Sequence, residues 1–130
     1  MEARAKRKYI RSSPRKMRIV ADVVRGKNVQ EALTTLHFLP QAAARTVERT
    51  IQDAYANLRD QNQDERIDDE ALVVKTIMVG EAPFLKRFRP VSRGRAHPIL
   101  KRSSHLTVVV GVPEEGSSKR SIRRGERVED

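Results

Sequence analysis

The chain has 130 residues, a length that suits one domain, and its 27 Lys and Arg against 17 acidic residues give a formal net charge of +10. Such a charge indicates a polyanionic partner: RNA, DNA or an anionic membrane surface. The absence of Cys excludes disulfides, zinc knuckles and thiol chemistry. Two Tyr, three Phe and no Trp argue against a module that stacks single-stranded bases on an aromatic platform.

The N-terminal segment is charged almost throughout, and no apolar run in the chain approaches the length of a membrane span. The sequence therefore predicts a soluble cytosolic protein without a signal peptide. A basic N-terminus also occurs in organelle transit peptides, but residues 3–9 favour an edge strand instead.

Positive charge is distributed in blocks along the chain. Residues 4–18 hold eight Lys or Arg, whereas residues 48–70 hold eight acids and three Arg. Residues 82–113 hold seven Lys or Arg and no acid. Blocks of one sign separated in this way predict a body with a solvated face and two regions that face RNA.

Three helices are predicted in the first half of the chain. Ser13 and Pro14 suit the start of the first helix, and Gly26 suits a left-handed stop after it. Asn28 followed by Glu31 resembles a capping box that opens the second helix, which Pro40 ends. The third helix is expected over about 41–59. The apolar residues at helical spacing, which we expect to face the core, are Met17, Val20, Ala21 and Val24, then Ala32, Leu33, Leu36 and Phe38, then Ala44, Val47, Ile51, Ala54 and Leu58.

Two short segments rich in β-branched residues, 71–79 and 106–112, predict strands after a polar loop at 60–70. The connection of about 25 residues between them is long for a compact domain, so we expect a β-hairpin with its turn near residues 90–94. Pro83, Pro90 and Pro98 cannot donate to a ladder and predict irregular arms. An arm of about 12 residues would project on the order of 40 Å, and such a hairpin is marginal in water without a partner.

The predicted fold is therefore α+β, with one domain over residues 1–113 that includes the extended hairpin at about 80–105. The tail over residues 114–130 is rich in Gly, Ser, Arg and Glu, and it is expected to be disordered.

Two basic regions are the candidate RNA-binding sites. The hairpin mixes its cations with apolar side chains, which a merely solvated loop has no reason to carry. The N-terminal cluster adjoins the start of the first helix, where free backbone N–H groups favour phosphate. The alternative is a solvated loop or helix face in each case. The candidates are Arg4, Lys6, Arg7, Lys8, Arg11, Ser12, Ser13, Arg15, Lys16, Arg18, Arg25, Lys27, Lys86, Arg87, Arg89, Arg93, Gly94, Arg95, Lys101, Arg102, Ser104 and His105.

Three other functional classes are weaker. The turn at residues 25–28 has the spacing of a DNA-binding helix-turn-helix, but its helices lack the exposed set of side chains that base recognition needs. A membrane binder should show a basic amphipathic helix with a wide apolar face, and the sequence predicts no such helix. An enzyme lacks candidates, because His37 is expected to be partly buried, His97 and His105 have no neighbouring carboxylate, and Asp68, Asp69 and Glu70 suit a solvated turn. No catalytic residue, metal or cofactor is expected.

Residues 11–27, 86–90, 93–96 and 99–110 resemble the bacterial ribosomal protein L22 family, and the likeness covers roughly residues 3–112. The resemblance implies three helices packed on a small three-stranded antiparallel sheet with a long protruding hairpin. It further implies a structural role in the large ribosomal subunit in a bacterial cytoplasm, rather than in an organelle. The implied partners are 23S rRNA, neighbouring ribosomal proteins and the nascent polypeptide, with no membrane, no DNA and no homo-oligomer.

The resemblance also implies an early part in subunit assembly and a hairpin that lines the peptide exit tunnel. By position, Arg93, Gly94 and Arg95 would form the tip at the tunnel constriction. Leu85, Lys86 and Arg87 would correspond to the hairpin segment linked to macrolide response. Val91 and His97 depart from the family pattern, and the tail beyond Pro113 has no counterpart whose role could be carried over.

Overall fold

The computed structural model describes residues 2–63 and 68–113, so the predicted disordered tail lies outside the described residues. The strand β1 (Glu2–Ile10) is followed by the helices α1 (Pro14–Val24), α2 (Val29–Phe38) and α3 (Ala42–Gln61). A short 3₁₀ turn (Asp69–Ala71) leads into β2 (Val73–Pro90), and a second one (Ser92–Gly94) joins β2 to β3 (Ala96–Gly111). The predicted α+β fold is confirmed.

The three strands form one antiparallel sheet in the order β1-β3-β2, which places β3 at the centre. Ala5 of β1 and Ile77 of β2 both lie opposite Val108 of β3. Alternate residues of β3 (Leu106, Val108, Val110) are fully buried, while Thr107 and Val109 between them are half-buried. The helices thus cover one face of the sheet, and the other face stays open to solvent.

The core consists of the predicted helical stripes packed on that covered face. All nine stripe residues assigned to the first and third helices are buried, as are Ala32 and Leu36 of α2. The inward assignment of Phe38 was wrong, since its side chain is 78% exposed. Phe38 follows Leu36 by two positions, about 200° around the helix axis, and therefore points away from the core. His37, expected to be partly buried, is also exposed.

The turn between α1 and α2 is fixed to the first residues of β2. Gly26 adopts a left-handed φ of 78°, as the sequence predicted. Its N–H donates to the Val74 carbonyl at 3.1 Å, and the Lys27 carbonyl accepts from the Val74 N–H at 2.9 Å. Asn28 caps α2, as predicted, and its side chain accepts from the Gln30 N–H at 2.9 Å. In a capping box the donor would be the N–H of the next residue, Glu31.

The predicted hairpin is present, and β2 and β3 continue past the body of the protein as its two arms. β2 and β3 remain paired from Ala82 and Ser103 out to Pro90 and Ala96. The register shifts once in this part, between Ala82 and Leu85, where Pro83 interrupts the ladder. The arms are otherwise regular, because Pro90 and Pro98 occupy ladder positions without shifting the register. Residues 83–102 are all exposed apart from the half-buried Val91. The turn falls at residues 91–95, as predicted, with Arg93 and Gly94 at positive φ.

We expect Gly26→Ala to lower the free energy of unfolding by about 1–2 kcal/mol, because an L residue at a left-handed φ is strained. The matched control is Gly80→Ala. Gly80 has no positive φ, and a Cβ built there meets no heavy atom within 4 Å. Chemical denaturation of both variants measures the difference. An equal loss in both would show that the conformation of Gly26 is not what the turn requires.

Removal of the hairpin should leave the body folded, because no buried core residue lies between residues 83 and 102. We expect a chain in which Leu85 is joined to Lys101 through an Asn-Gly turn to melt within roughly 4 °C of the full-length protein. The control is Leu106→Ala, which removes a fully buried side chain and should cost about 2–5 kcal/mol. Loss of the cooperative melting transition in the shortened chain would contradict the prediction.

Candidate nucleic-acid interface

A groove of about 690 Å³ lies where the starts of α1 and α3 meet the base of the hairpin. It joins the two basic regions that the sequence separates by some eighty residues. Four cations and no acid line it, together with small apolar surfaces. The lining residues are Arg11, Ser12, Ser13, Lys16, Ile19, Gln41, Ala42, Ala43, Ile99, Leu100, Lys101 and Arg102.

The start of α1 supplies backbone donors to this groove. Pro14 has no N–H, and the N–H groups of Arg15 and Lys16 have no acceptor within the helix because it begins at Pro14. The Ser13 side chain makes no capping bond to them. The first helical hydrogen bond is donated by Met17 to the Ser13 carbonyl at 3.1 Å. The positive end of the helix dipole and the flanking cations therefore favour an anion here.

The groove is held in shape by a contact between its two walls. The Arg11 guanidinium donates to the main-chain carbonyl of Arg102, which ties the segment before α1 to the base of β3. Ser12 N–H closes a turn onto the Ile10 carbonyl at 2.8 Å. These bonds fix the spacing between the N-terminal cations and those of the hairpin, so a phosphate backbone could contact both at once.

The open face of the sheet carries a second group of cations. Arg4, Lys6 and Lys8 alternate along β1 with the buried Ala3 and Ala5, and all three are exposed. Among the described residues, the side chains of these three cations have no ion-pair partner. They extend the positive surface from the groove across the uncovered side of the sheet.

Besides Arg11, three of the predicted RNA-binding arginines make bonds within the protein. Arg7 points toward α3 and pairs with Asp53 at 2.8 Å. Arg18 donates to the Val79 carbonyl at 3.2 Å. Arg25 donates to Asp22 at 2.6 Å and to the Ile77 carbonyl at 3.0 Å. These bonds fasten helices to strands, while the arginine side chains remain partly exposed.

The hairpin presents different side chains on its two faces. Residues paired across an antiparallel ladder share a face. One face therefore carries Arg87 opposite Ile99, Arg89 opposite His97 and Leu85 opposite Lys101. The other carries Phe88 opposite Pro98, Pro90 opposite Ala96 and Lys86 opposite Leu100. The first face is suited to phosphates and the second is largely apolar. Arg93, Gly94 and Arg95 lie at the exposed tip.

Two predicted site residues at the base of the hairpin, Ser104 and His105, differ in accessibility. Ser104 is fully buried and cannot reach a ligand at the surface of this fold. His105 is half-buried on the open face, and its Nδ1 accepts a hydrogen bond from Tyr9 N–H at 3.0 Å. Lys27 is also half-buried, beside α2. Ile19, Gln41 and Ala42 line the groove without having been predicted, because nothing in their local sequence indicates that α3 begins beside the hairpin.

Several acids of the block between residues 48 and 70 make contacts within the protein. Glu48 pairs with Arg45 at 3.0 Å, and Asp68 caps the 3₁₀ turn by accepting from Glu70 N–H at 3.1 Å. The Tyr55 hydroxyl donates to Asp69 at 2.7 Å. Burial, followed by that contact with the Asp69 carboxylate, raises the pKa of Tyr55 above its ordinary value. The acids before β2 therefore form a structural turn.

Within residues 2–63 and 68–113, no cluster of three or more His, Cys, Asp or Glu side chains is arranged to hold a metal ion. None of the helices in that part of the chain is long and apolar enough to cross a membrane.

Comparison with known proteins agrees with this geometry. The family described as Ribosomal protein L22p/L17e matches residues 5–111. A large ribosomal subunit protein uL22 of Herpetosiphon aurantiacus is 54% identical over 110 residues, which cover 85% of this chain and 95% of the relative. The uL22 protein of Desulfotalea psychrophila is 51% identical over 110 residues, covering 85% and 97%. That of Salinibacter ruber is 50% identical over 115 residues, covering 88% and 94%.

The match includes β1 from residue 5 onward, all three helices and both arms of the hairpin, and so covers every residue that lines the groove. The relatives are named as ribosomal proteins, and the family is one of structural constituents and not of enzymes. The chain therefore belongs to the ribosomal protein L22p/L17e family, the family of the bacterial large ribosomal subunit proteins uL22.

Proposed function

We propose that this protein is a structural constituent of a bacterial large ribosomal subunit in the cytoplasm, where it binds 23S rRNA. The observation that carries the proposal is the acid-free groove between α1, α3 and the base of the hairpin. Its partners would be the rRNA and neighbouring ribosomal proteins. The family membership supports the ribosomal location, and the charge of the groove supports its assignment to the RNA-facing surface.

The groove suits RNA better than duplex DNA. It combines two free backbone N–H groups with cations from two separate segments. Such an arrangement is suited to the phosphates of an irregularly folded RNA. The helix pair with the spacing of a DNA-binding motif is less suitable. The surface of α2 beside Lys27 carries Gln30, Glu31, Thr34 and Thr35, a set with an acid and no arginine.

The hairpin supports a role in subunit assembly. Beyond Ala82 and Ser103 it is a two-stranded ladder whose residues are exposed apart from the half-buried Val91, and the exposed side chains include the apolar Phe88 and Leu100. A ladder of this kind gains little from its own burial. We propose that rRNA packs around both faces as the subunit forms, so binding orders the arms and the protein in turn fixes the RNA segments that surround them.

The tip of the hairpin is the proposed contact with the exit tunnel. Arg93 lies about 11 residues beyond Ala82, which corresponds to roughly 35 Å at the rise of an extended strand. Arg93, Gly94 and Arg95 would line the tunnel and meet the nascent polypeptide. Leu85, Lys86 and Arg87 on the β2 arm would form the segment linked to macrolide response.

Neutralising single groove cations should reduce both the affinity for 23S rRNA and its dependence on salt. For Lys16→Gln and Lys101→Gln we expect the slope of log affinity against log salt to fall by about one each, because each variant loses one phosphate contact. Filter binding of the full-length chain to a 23S rRNA transcript, from 50 to 300 mM KCl, measures the slope.

The control for those variants is Arg49→Gln, which makes the same change in net charge on the exposed outer side of α3. It should leave the slope unchanged. An equal effect of all three variants would show that total charge, and not the groove, determines binding. Tighter binding to duplex DNA with a sequence preference would overturn the proposed function.

A photo-crosslinking residue at position 93 tests the tunnel assignment. We expect benzoylphenylalanine in place of Arg93 to crosslink to the nascent chain in stalled ribosomes, because Arg93 lies at the exposed tip. Prior release of the nascent chain by puromycin should remove the product. The same residue at the exposed position of Phe38 is the control and should give no such product. Ribosomes that carry the position-93 label yet give crosslinks only to RNA would contradict the tunnel assignment.

A further inference from the structure

A bulge near the end of β1 turns one aromatic side chain onto the open face of the sheet. The register between β1 and β3 is regular from Glu2 to Arg7 and shifts before Ile10. Within the bulge, Tyr9 has a φ of 56°, a conformation that a bulky L residue adopts only at a cost. The Tyr9 side chain is 68% exposed. Bulges characteristically redirect a side chain in this way.

The bulge also fixes the hydrogen-bonding state of a histidine. His105 lies between the buried Ser104 and Leu106 on β3, so its ring points to the open face. The N–H of Tyr9 donates to its Nδ1 at 3.0 Å. A nitrogen that accepts a hydrogen bond carries no proton, so the neutral ring holds its proton on Nε2. In the described structure Nε2–H has no acceptor, and it is available to a ligand.

The two rings form one site. They lie edge to face with their centroids 4.9 Å apart at 87°. Directly opposite His105, β2 places Gly80, and a Cβ built there would meet no heavy atom within 4 Å. The space beside the histidine is therefore open on the β2 side, while Lys6 and Lys8 are exposed on the same open face along β1.

We propose that this Tyr9–His105 site binds one unpaired nucleobase of the RNA. The inference rests on the proposed function and adds a site within it. The base stacks on the exposed Tyr9 ring, and an acceptor on its edge receives the Nε2–H of His105. Gly80 leaves room for the base, and Lys8 is placed to meet its phosphate. The positive charge of this face favours a nucleic acid over an apolar protein segment.

The test compares the affinity of full-length variants for a 23S rRNA transcript. Tyr9→Asn removes the ring, while Asn tolerates the positive φ, so the bulge is retained. We expect the affinity to fall about tenfold with an unchanged salt slope, because a stacking contact is lost and no phosphate contact is. Tyr9→Phe keeps the ring and should bind within twofold of the native protein. Phe38→Ser removes an aromatic side chain that is equally exposed elsewhere and should have no effect.

A second variant changes the site at Gly80 of β2, opposite His105. Gly80→Leu should fill the space beside His105 and weaken RNA binding several-fold. Thermal melting checks that this variant is folded, and Gly80→Ala is its folded control. Ultraviolet crosslinking of the native complex should attach a nucleotide to Tyr9, identified by the mass of the β1 peptide.

The outcomes separate this site from the broader proposal. Native affinity in Tyr9→Asn, or a Tyr9→Phe variant as weak as Tyr9→Asn, would overturn stacking while the groove variants still report RNA binding. A lower salt slope in Tyr9→Asn would likewise overturn it in favour of a phosphate contact. If Tyr9→Asn binds RNA normally but fails to enter subunits, the open face contacts protein and the nucleobase site is excluded. Failure of the native chain to bind the transcript would overturn the proposed function itself.

Discussion

The pairing of β2 with β3 is the constraint on which the rest of the fold depends. Over residues 104–111, β3 is bonded on both sides and its alternate side chains are buried under the helices. Beyond Ser103 the same strand continues, paired with β2 alone, and its residues are exposed. The core thus anchors the base of the hairpin firmly, whereas its outer part gains almost nothing from burial. Any fixed position of the tip must come from what surrounds the arms.

Both edge strands of the sheet are bound by polar side chains of the helices. On β2, the Val79 carbonyl accepts from Arg18 and the Ile77 carbonyl accepts from Arg25. On β1, the Arg4 carbonyl accepts from Asn57 of α3 at 3.1 Å. These bonds satisfy carbonyls that would otherwise be free to pair with another chain. Some of the basic residues therefore stabilise the fold by bonding helices to the edge strands.

The sequence predicted what depends on local patterns. Helical periodicity identified the buried residues of the helices, and Gly26 identified the turn after α1. Both were predictable because burial and a left-handed backbone restrict which residues can occupy a position. The sequence missed the regularity of the hairpin arms, since Pro90 and Pro98 were expected to interrupt the ladder and instead lie in register. Likewise, the cations of the groove were predicted individually, but the groove itself joins three distant segments. Only tertiary structure shows that Ile19 and Gln41 lie beside Lys101.

The scarcity of aromatic residues excludes fewer modes of RNA binding than the composition suggested. Few rings exclude a platform that stacks successive bases, but they do not limit what a single ring can bind. At Tyr9 the backbone adopts an unfavourable conformation, with a cost on the order of 1 kcal/mol, and the result is an exposed ring beside a histidine held in one tautomer. Folding alone would be served better by Gly or Asn at this position. The proposed contact with a nucleobase would account for a bulky ring at this position.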